Sequence, residues 1–154
     1  MIHKTAEVAK GAFIGKGTNI WHQAQVREGA IIGDNCNIGK GVYIDKNVII
    51  GDNCKIQNYA CIYQGVTIEN DVFIGPHVCF TNDLHPNALE WSEDKIIQTW
   101  VESGVSIGAN ATIVCGTVIG KNSMIGAGSV VVKNISPNRV ICGNPARKIG
   151  KRFK

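Results

Sequence analysis

The stretch Ile32-Gly33-Asp34-Asn35-Cys36-Asn37-Ile38-Gly39-Lys40-Gly41-Val42-Tyr43-Ile44-Asp45-Lys46-Asn47-Val48-Ile49-Ile50 decides the architecture. A branched apolar residue recurs every six positions, at Ile32, Ile38, Ile44 and Ile50, a period that suits neither an α-helix nor a simple alternating strand. Working backwards, the series reaches Val26, Ile20, Ile14, Val8 and Ile2; working forwards, it runs through Ile56, Ile62, Ile68, Ile74 and Phe80. After one gap it resumes at Val101, Ile107, Ile113, Ile119, Ile125 and Val131. Twenty hexads, nineteen of them marked by Ile or Val, exclude coincidence.

Each hexad carries two further regularities. Four positions after the apolar residue stands a small or β-branched one, such as Ala12, Thr18, Ala24, Cys36, Val48, Cys54, Val66, Val78, Ala111, Ser123 or Ser129, which fits inside a bend. Three positions after it stands Gly (11, 17, 29, 41, 65, 104, 116, 128), Asn (35, 47, 53, 110, 122, 134) or Asp (71, 83), the residues that best tolerate positive φ. A short strand followed by a left-handed bend every six residues makes a flat-sided coil. Three hexads close one triangular turn, and successive turns stack as parallel strands ~4.8 Å apart. Over residues 2–136 this pattern resembles the hexapeptide-repeat, left-handed parallel β-helix family. The resemblance supplies the hand, because parallel crossovers are right-handed in ~98% of cases. The expected fold is all-β: a helix over residues 1–136 with a loop at 81–100 inserted, followed by a C-terminal segment, 137–154. A single coil layer leaves its outer faces uncovered, so self-association is expected, and the resemblance implies a homotrimer.

Composition bounds the function. In 154 residues, 18 are Gly and the net charge is only +4. No apolar run approaches the ~20 residues that span a bilayer, and Met1-Ile2-His3-Lys4-Thr5 opens no secretory signal; a cytoplasmic location is expected, with no membrane partner. Arg139, Arg147, Lys148, Lys151, Arg152 and Lys154 crowd the last sixteen residues, which suits a phosphorylated small molecule. No basic stripe interleaved with aromatics occurs elsewhere, so nucleic acid is not expected.

Two irregularities mark candidate sites. The 21-residue interval from Phe80 to Val101 breaks the period once, so a segment containing Trp91 and Trp100 must leave the coil, as an arm that covers a site or reaches a neighbour. The left-handed position also departs from Gly, Asn or Asp at Thr5, Gln23, Tyr59 and His77. The last three are spaced by multiples of eighteen, so they share one corner, with His22 and Asn58 one position earlier. Local rules broken together tend to mark function, so His22, Asn58, Tyr59 and His77 are candidate substrate-binding residues.

The succession Ile20-Trp21-His22, Ile56-Gln57-Asn58, Gly65-Val66-Thr67-Ile68-Glu69, Phe80-Thr81-Asn82, Thr112-Ile113-Val114-Cys115-Gly116, Gly126-Ala127-Gly128-Ser129 and Gly143-Asn144-Pro145-Ala146-Arg147 resembles the sugar-nucleotide N-acetyltransferases. The type implied acetylates the 3-amino group of UDP-2-acetamido-3-amino-2,3-dideoxyglucuronate, or amines on dTDP-dideoxyhexoses, for surface polysaccharides. It implies acetyl-CoA as co-substrate, lying between adjacent helices along their axis. By resemblance, Gly108-Ala109 and Gly126-Ala127 offer it backbone groups, Asn144 and Pro145 flank the adenine, and Arg147 and Lys148 meet the phosphates. Asn82 corresponds to the Asn that holds the acceptor amine. His85 is the candidate base, since imidazole titrates near neutrality, and Asp83 beside them is a candidate substrate ligand. Related sequences commonly carry an aromatic at position 85 and Arg at 87, where this chain has His85 and Asn87.

Two other classes fit the repeat. One is O-acetylation of a sugar hydroxyl with His85 as base. The other is a zinc lyase like the γ-type carbonic anhydrases, which needs three converging histidines; His3, His22, His77 and His85 do not match that spacing, and no metal is expected. A non-catalytic scaffold would leave the arm and the corner departures without a use. Of the six cysteines, Cys36 and Cys54 fall on inward positions one coil apart and Cys61 and Cys79 on outward ones, with no Cys-x-x-Cys pair, so structural roles are expected.

Overall fold

In the computed structural model, which describes residues 1–152, the hexads wind into a three-sided parallel β-solenoid. Three sheets of seven, six and eight strands form its faces. The first face begins with Glu7–Val8, Gln25–Val26 and Tyr43–Ile44, the second with Phe13–Ile14 and Ile31–Ile32, the third with Asn19–Ile20 and Asn37–Ile38. Stacked partners lie eighteen residues apart, as in Gln25↔Tyr43 and Asn37↔Lys55.

The apolar series forms the interior. From Ile20 to Val131 each of its members is at most 1% exposed, and burying one such side chain stabilises the fold by roughly 1.5–3 kcal/mol. Ile2 is half exposed because no coil lies beneath it. From Thr18 to Val78 the small inward positions are buried too, and coil stacking serves polar ones such as Thr18, whose Oγ1 donates to Gly33 O at 2.7 Å and accepts from Cys36 N at 2.9 Å, whereas Thr99 Oγ1 is buried without a partner. All six cysteines are free thiols; Cys36 and Cys54 are interior, and Cys61 pairs in register with Cys79 on the first face.

Seventeen of the twenty expected left-handed positions have positive φ. The exceptions are Thr5, Asp83 and Asn134, each where the regular coil begins, is left or ends. Asn138 and Gly143 adopt positive φ outside the series. The arm is shorter than expected: the strand re-forms at Thr99–Val101, pairing Thr99 with Val66, so residues 81–98 leave the coil. Trp100 is therefore a strand residue, not part of the arm, and its Nε1 donates to Glu69 Oε1 at 3.1 Å.

Beyond residue 136 the winding goes on. Ile135 bridges to Ile119, Arg139–Gly143 pairs in parallel with Met124–Ile125, and Ala146–Lys151 folds back antiparallel on it. Ile135 and Ile141 continue the buried series with a hexad shortened by two residues after Val131. The turn between these strands contains a cis Asn144–Pro145 bond. No helix among the described residues is long and apolar enough to cross a membrane.

Candidate active site

The three faces meet at three corners with different chemistry. Corner I joins the third face to the first, and its rungs are Lys4-Thr5, His22-Gln23, Lys40-Gly41, Asn58-Tyr59, Pro76-His77, Ala109-Asn110 and Ala127-Gly128. Backbone bonds tie them in file: Gly41 N to His22 O (3.0 Å), Tyr59 N to Lys40 O (2.9 Å), His77 N to Asn58 O (3.1 Å), Asn110 N to Pro76 O (2.9 Å) and Gly128 N to Ala109 O (2.8 Å). The structure thus aligns the expected substrate residues His22, Asn58, Tyr59 and His77 with the expected cofactor pairs Gly108-Ala109 and Gly126-Ala127. The file extends to Asn144 and Pro145, because Gly143 N donates to Ser129 Oγ at 3.2 Å, next to Gly128.

Local packing accounts for several identities here. A side chain on Gly108 would come within 2.5 Å of Ala127 N, and one on Gly75 within 2.7 Å of Ala109 N, so these glycines are required by coil stacking whether or not a ligand binds. Asn58 is also structural, its Oδ1 accepting from Lys40 N at 2.9 Å. Tyr59 and His77 are different: both are exposed, both hold φ near +60°, and their rings stack with centroids 5.3 Å apart and 18° between planes. Two coils earlier His22 stacks on His3 at 3.5 Å, and Trp21 is nearly parallel to His22. Burial, then the charges of His22 and Lys4, hold the His3 pKa below its ordinary value.

Asn82, Asp83 and His85 are elsewhere. They follow Cys79–Phe80 on the first face, so the arm leaves at corner II, between the first and second faces. Thr81 N donates to Ile113 O and Thr81 Oγ1 accepts from Cys115 N, both at 3.0 Å, and Ile97 N donates to Asn82 O at 2.9 Å. A Lys46–Glu93 ion pair fastens the short 3-10 turn Glu93–Lys95 to the same corner. Asp83, Leu84, His85, Asp94, Lys95 and Ile97 line a cavity of about 270 Å³. Asp83 Oδ1 accepts from His85 N at 2.7 Å, whereas Asp83 Oδ2 is buried without a partner. Asn82 is half-buried outside the cavity lining, and His85 is exposed.

At the C-terminal end, Arg147 and Lys148 line a second cavity, about 350 Å³, with Lys133, Asn134, Ser136 and Arg139. Sequence reasoning counted Arg139 only in the basic tail and missed Lys133; the shortened hexad at Ile135, invisible to a strict six-residue count, brings both in. Lys154 lies outside the described residues. Among the described residues no three His, Cys, Asp or Glu side chains converge as metal ligands.

Residues 11–46, 47–82 and 98–133 match the family model described as bacterial transferase hexapeptide (six repeats). The chain belongs to this family. Together with its likeness to the acetyltransferase structures that follow, this membership identifies it as an acyltransferase. Among solved structures it resembles a hexapeptide-repeat acetyltransferase from Vibrio cholerae O1 biovar eltor complexed with acetyl coenzyme A, with 25% identity, TM-score 0.70, and 82% of this chain and 72% of that one covered. It also resembles a galactoside acetyltransferase in complex with coenzyme A, with 29% identity, TM-score 0.68, and coverage of 92% and 66%. PerB from Caulobacter crescentus, in complex with CoA and GDP-perosamine, shares the fold at 21% identity and TM-score 0.61; 97% of this chain aligns with 56% of that one. No curated protein matches the chain by sequence.

Proposed function

We propose that this hexapeptide-repeat protein transfers an acetyl group from acetyl-CoA to an amino group on a nucleotide-linked sugar, a cytoplasmic step in making surface-polysaccharide precursors. One observation carries this reading. Corner I is a single file whose aromatic half, His22 to His77, abuts its small-residue half, Ala109 to Gly128, and the arm leaves the coil at the height of that junction. Acceptor and donor then lie end to end, and the arm's polar groups meet the point where they touch. The structural likeness to acetyltransferases that hold acetyl-CoA and CoA supports the donor.

The arm's cavity is smaller than the ~300–1,000 Å³ of a complete ligand pocket, and arm and file occupy different corners of one protomer. The working site therefore takes the arm of one copy and corner I of the next, in a homotrimer. An exposed apolar column on the second face, Phe13, Ile31, Ile49, Trp100 and Val118 in consecutive register with Thr67 between, supports burial against another copy.

In this site the Asn82 amide holds the acceptor amine in its neutral form. Asp83 Oδ2, a buried acceptor lacking a donor, takes a hydrogen bond from the same nitrogen and aims its lone pair at the thioester carbonyl. The new C–N bond forms as the C–S bond breaks, and the departing sulfur leaves as CoA thiol with the proton the amine gives up. His85 serves as base only where the acceptor is a hydroxyl. At the far end Arg147 and Lys148, with Lys133 and Arg139, neutralise the phosphates of CoA, for which Arg offers bidentate contacts. Thiol release from acetyl-CoA with a panel of 3-amino and 4-amino UDP-, dTDP- and GDP-sugars tests the reading: activity with one of them supports it, and turnover with none of them, or equally well with simple amines, refutes it.

A further inference from the structure

Corner I differs from the other corners in charge as well as in shape. From Lys4 to His77 its rungs hold no carboxylate, whereas corner III carries Asp34, Asp52 and Asp71 and corner II carries Glu28. Its ring-bearing residues stand where the coil itself would be better served by Asn, the residue at most other non-glycine turn positions. Flat rings and cations without acids are the chemistry that recognises a planar base joined to phosphates.

The rungs give that chemistry an order. Trp21, exposed, is held by an Nε1 hydrogen bond to Asn37 Oδ1 at 2.8 Å and lies parallel to His22 at 6.5 Å. The next rung has no ring: Gly41 leaves its space to Tyr59, whose Cδ1 would be 2.5 Å from a side chain there, and Lys40 Nζ lies 5.9 Å from the Tyr59 ring centre. Then come the stacked Tyr59 and His77, just below the height of the arm. From the His22 rung to the His77 rung is three coil spacings, about 14 Å at ~4.8 Å each, the reach of an extended nucleoside-diphosphate sugar.

We propose that corner I binds the acceptor in register, with its nucleobase on the Trp21–His22 surface, its diphosphate at Lys40 and the apolar face of its sugar on the Tyr59–His77 stack. This inference rests on the reading of the acceptor as a nucleotide-linked sugar, and adds which rung holds which part.

The test is binding of UDP, dTDP and GDP, and of the corresponding amino sugars, followed by Trp21 fluorescence in a Trp91→Phe/Trp100→Phe background and by calorimetry without CoA. His22→Ala weakens binding of the free nucleoside diphosphate by about tenfold or more, the worth of one stacked base. Lys40→Ala weakens it and flattens its dependence on salt. Tyr59→Asn, which suits the left-handed turn and keeps the thermal midpoint, weakens the nucleotide sugar but leaves the free diphosphate unchanged. Nucleotide binding indifferent to all three variants overturns the rung assignment while leaving acetyl transfer intact. No nucleotide binding by the parent protein, together with thiol release on a nucleotide-free amino sugar, overturns it as well. The expected binding pattern without thiol release on any acceptor upholds the rung assignment and refutes the transfer reaction.

Discussion

His77 and Asn82 are five residues apart in sequence and bracket one strand of the same coil, yet they stand on different corners of the prism. His77 caps the strand Cys79–Phe80 on the side of corner I, and Asn82 follows it at corner II. In the assembly proposed above, a small molecule on corner I of one protomer is served by the arm of another copy.

The arm's polar groups divide the labour unequally. Asp83→Asn keeps the turn made with His85 N but replaces the unpartnered oxygen with an amide, and should lower kcat by roughly 10- to 100-fold, the worth of one hydrogen bond to a charged group. Asn82→Ala should lower kcat with little change in CoA affinity. His85→Ala should be mild with an amine acceptor; abolition by His85→Ala with full rate in Asn82→Ala would contradict the mechanism.

At the opposite end, Arg147→Ala and Lys133→Ala should each raise the dissociation constant for CoA and weaken its salt dependence, without changing that for a nucleoside diphosphate. Calorimetry at two ionic strengths checks this.

The exposed column on the second face gives a test of assembly. Ile31→Glu/Ile49→Glu places two carboxylates on a surface that is 44% exposed at each position in the single chain. Sedimentation should show a smaller oligomer than the parent, with activity lost in proportion. An unchanged mass would place the contact on another face.

Glu69 secures the strand where the chain re-enters the coil. Hydrogen bonds from Ser103 and then from Trp100 hold its carboxyl below the usual range, with Ser103 N and Oγ at 2.9 and 2.8 Å. A lowered folded-state pKa means that the unfolded chain binds the proton more readily, so this contribution is present above the ordinary carboxylate range and is lost as pH falls through the lowered value. Acid titration followed by Trp100 fluorescence should show the parent losing stability over that window, and Glu69→Gln should remove that part of the pH dependence.

Gly41 and Tyr59 form a coupled pair. With φ at +63° and the Tyr59 ring 2.5 Å from any added side chain, Gly41→Ala should cost about 1–2 kcal/mol in denaturant unfolding. In a Tyr59→Ala background the steric part disappears, leaving the conformational part, so the two changes are not additive.

Most of the fold was legible in the spacing of Ile, Val and Gly, because a solenoid repeats one local rule and each residue's environment is set by its place in the hexad. The corner shared by His22, Tyr59 and His77 followed from the same arithmetic. What the repeat could not carry lay where it stops: the shortened hexad at Ile135 that brings Lys133 beside Arg139, the early return of Trp100 to the sheet, and the unpartnered oxygen of Asp83. These depend on how an irregular segment packs, which no period encodes. The separation of arm and corner was implicit in the count of hexads but needed the three faces to be traced.

In the proposed trimer, one protomer's arm completes its neighbour's corner. An Asn82→Ala/Asp83→Ala chain and an Ala127→Trp chain, the latter blocking the exposed cofactor rung, should each be inactive alone. Co-expressed as mixed oligomers, they should recover thiol release to about a quarter of the parent rate, the share of neighbour pairs with both halves intact in a symmetric ring. Mixed oligomers, verified by mass, that remain as inactive as either parent would contradict this arrangement.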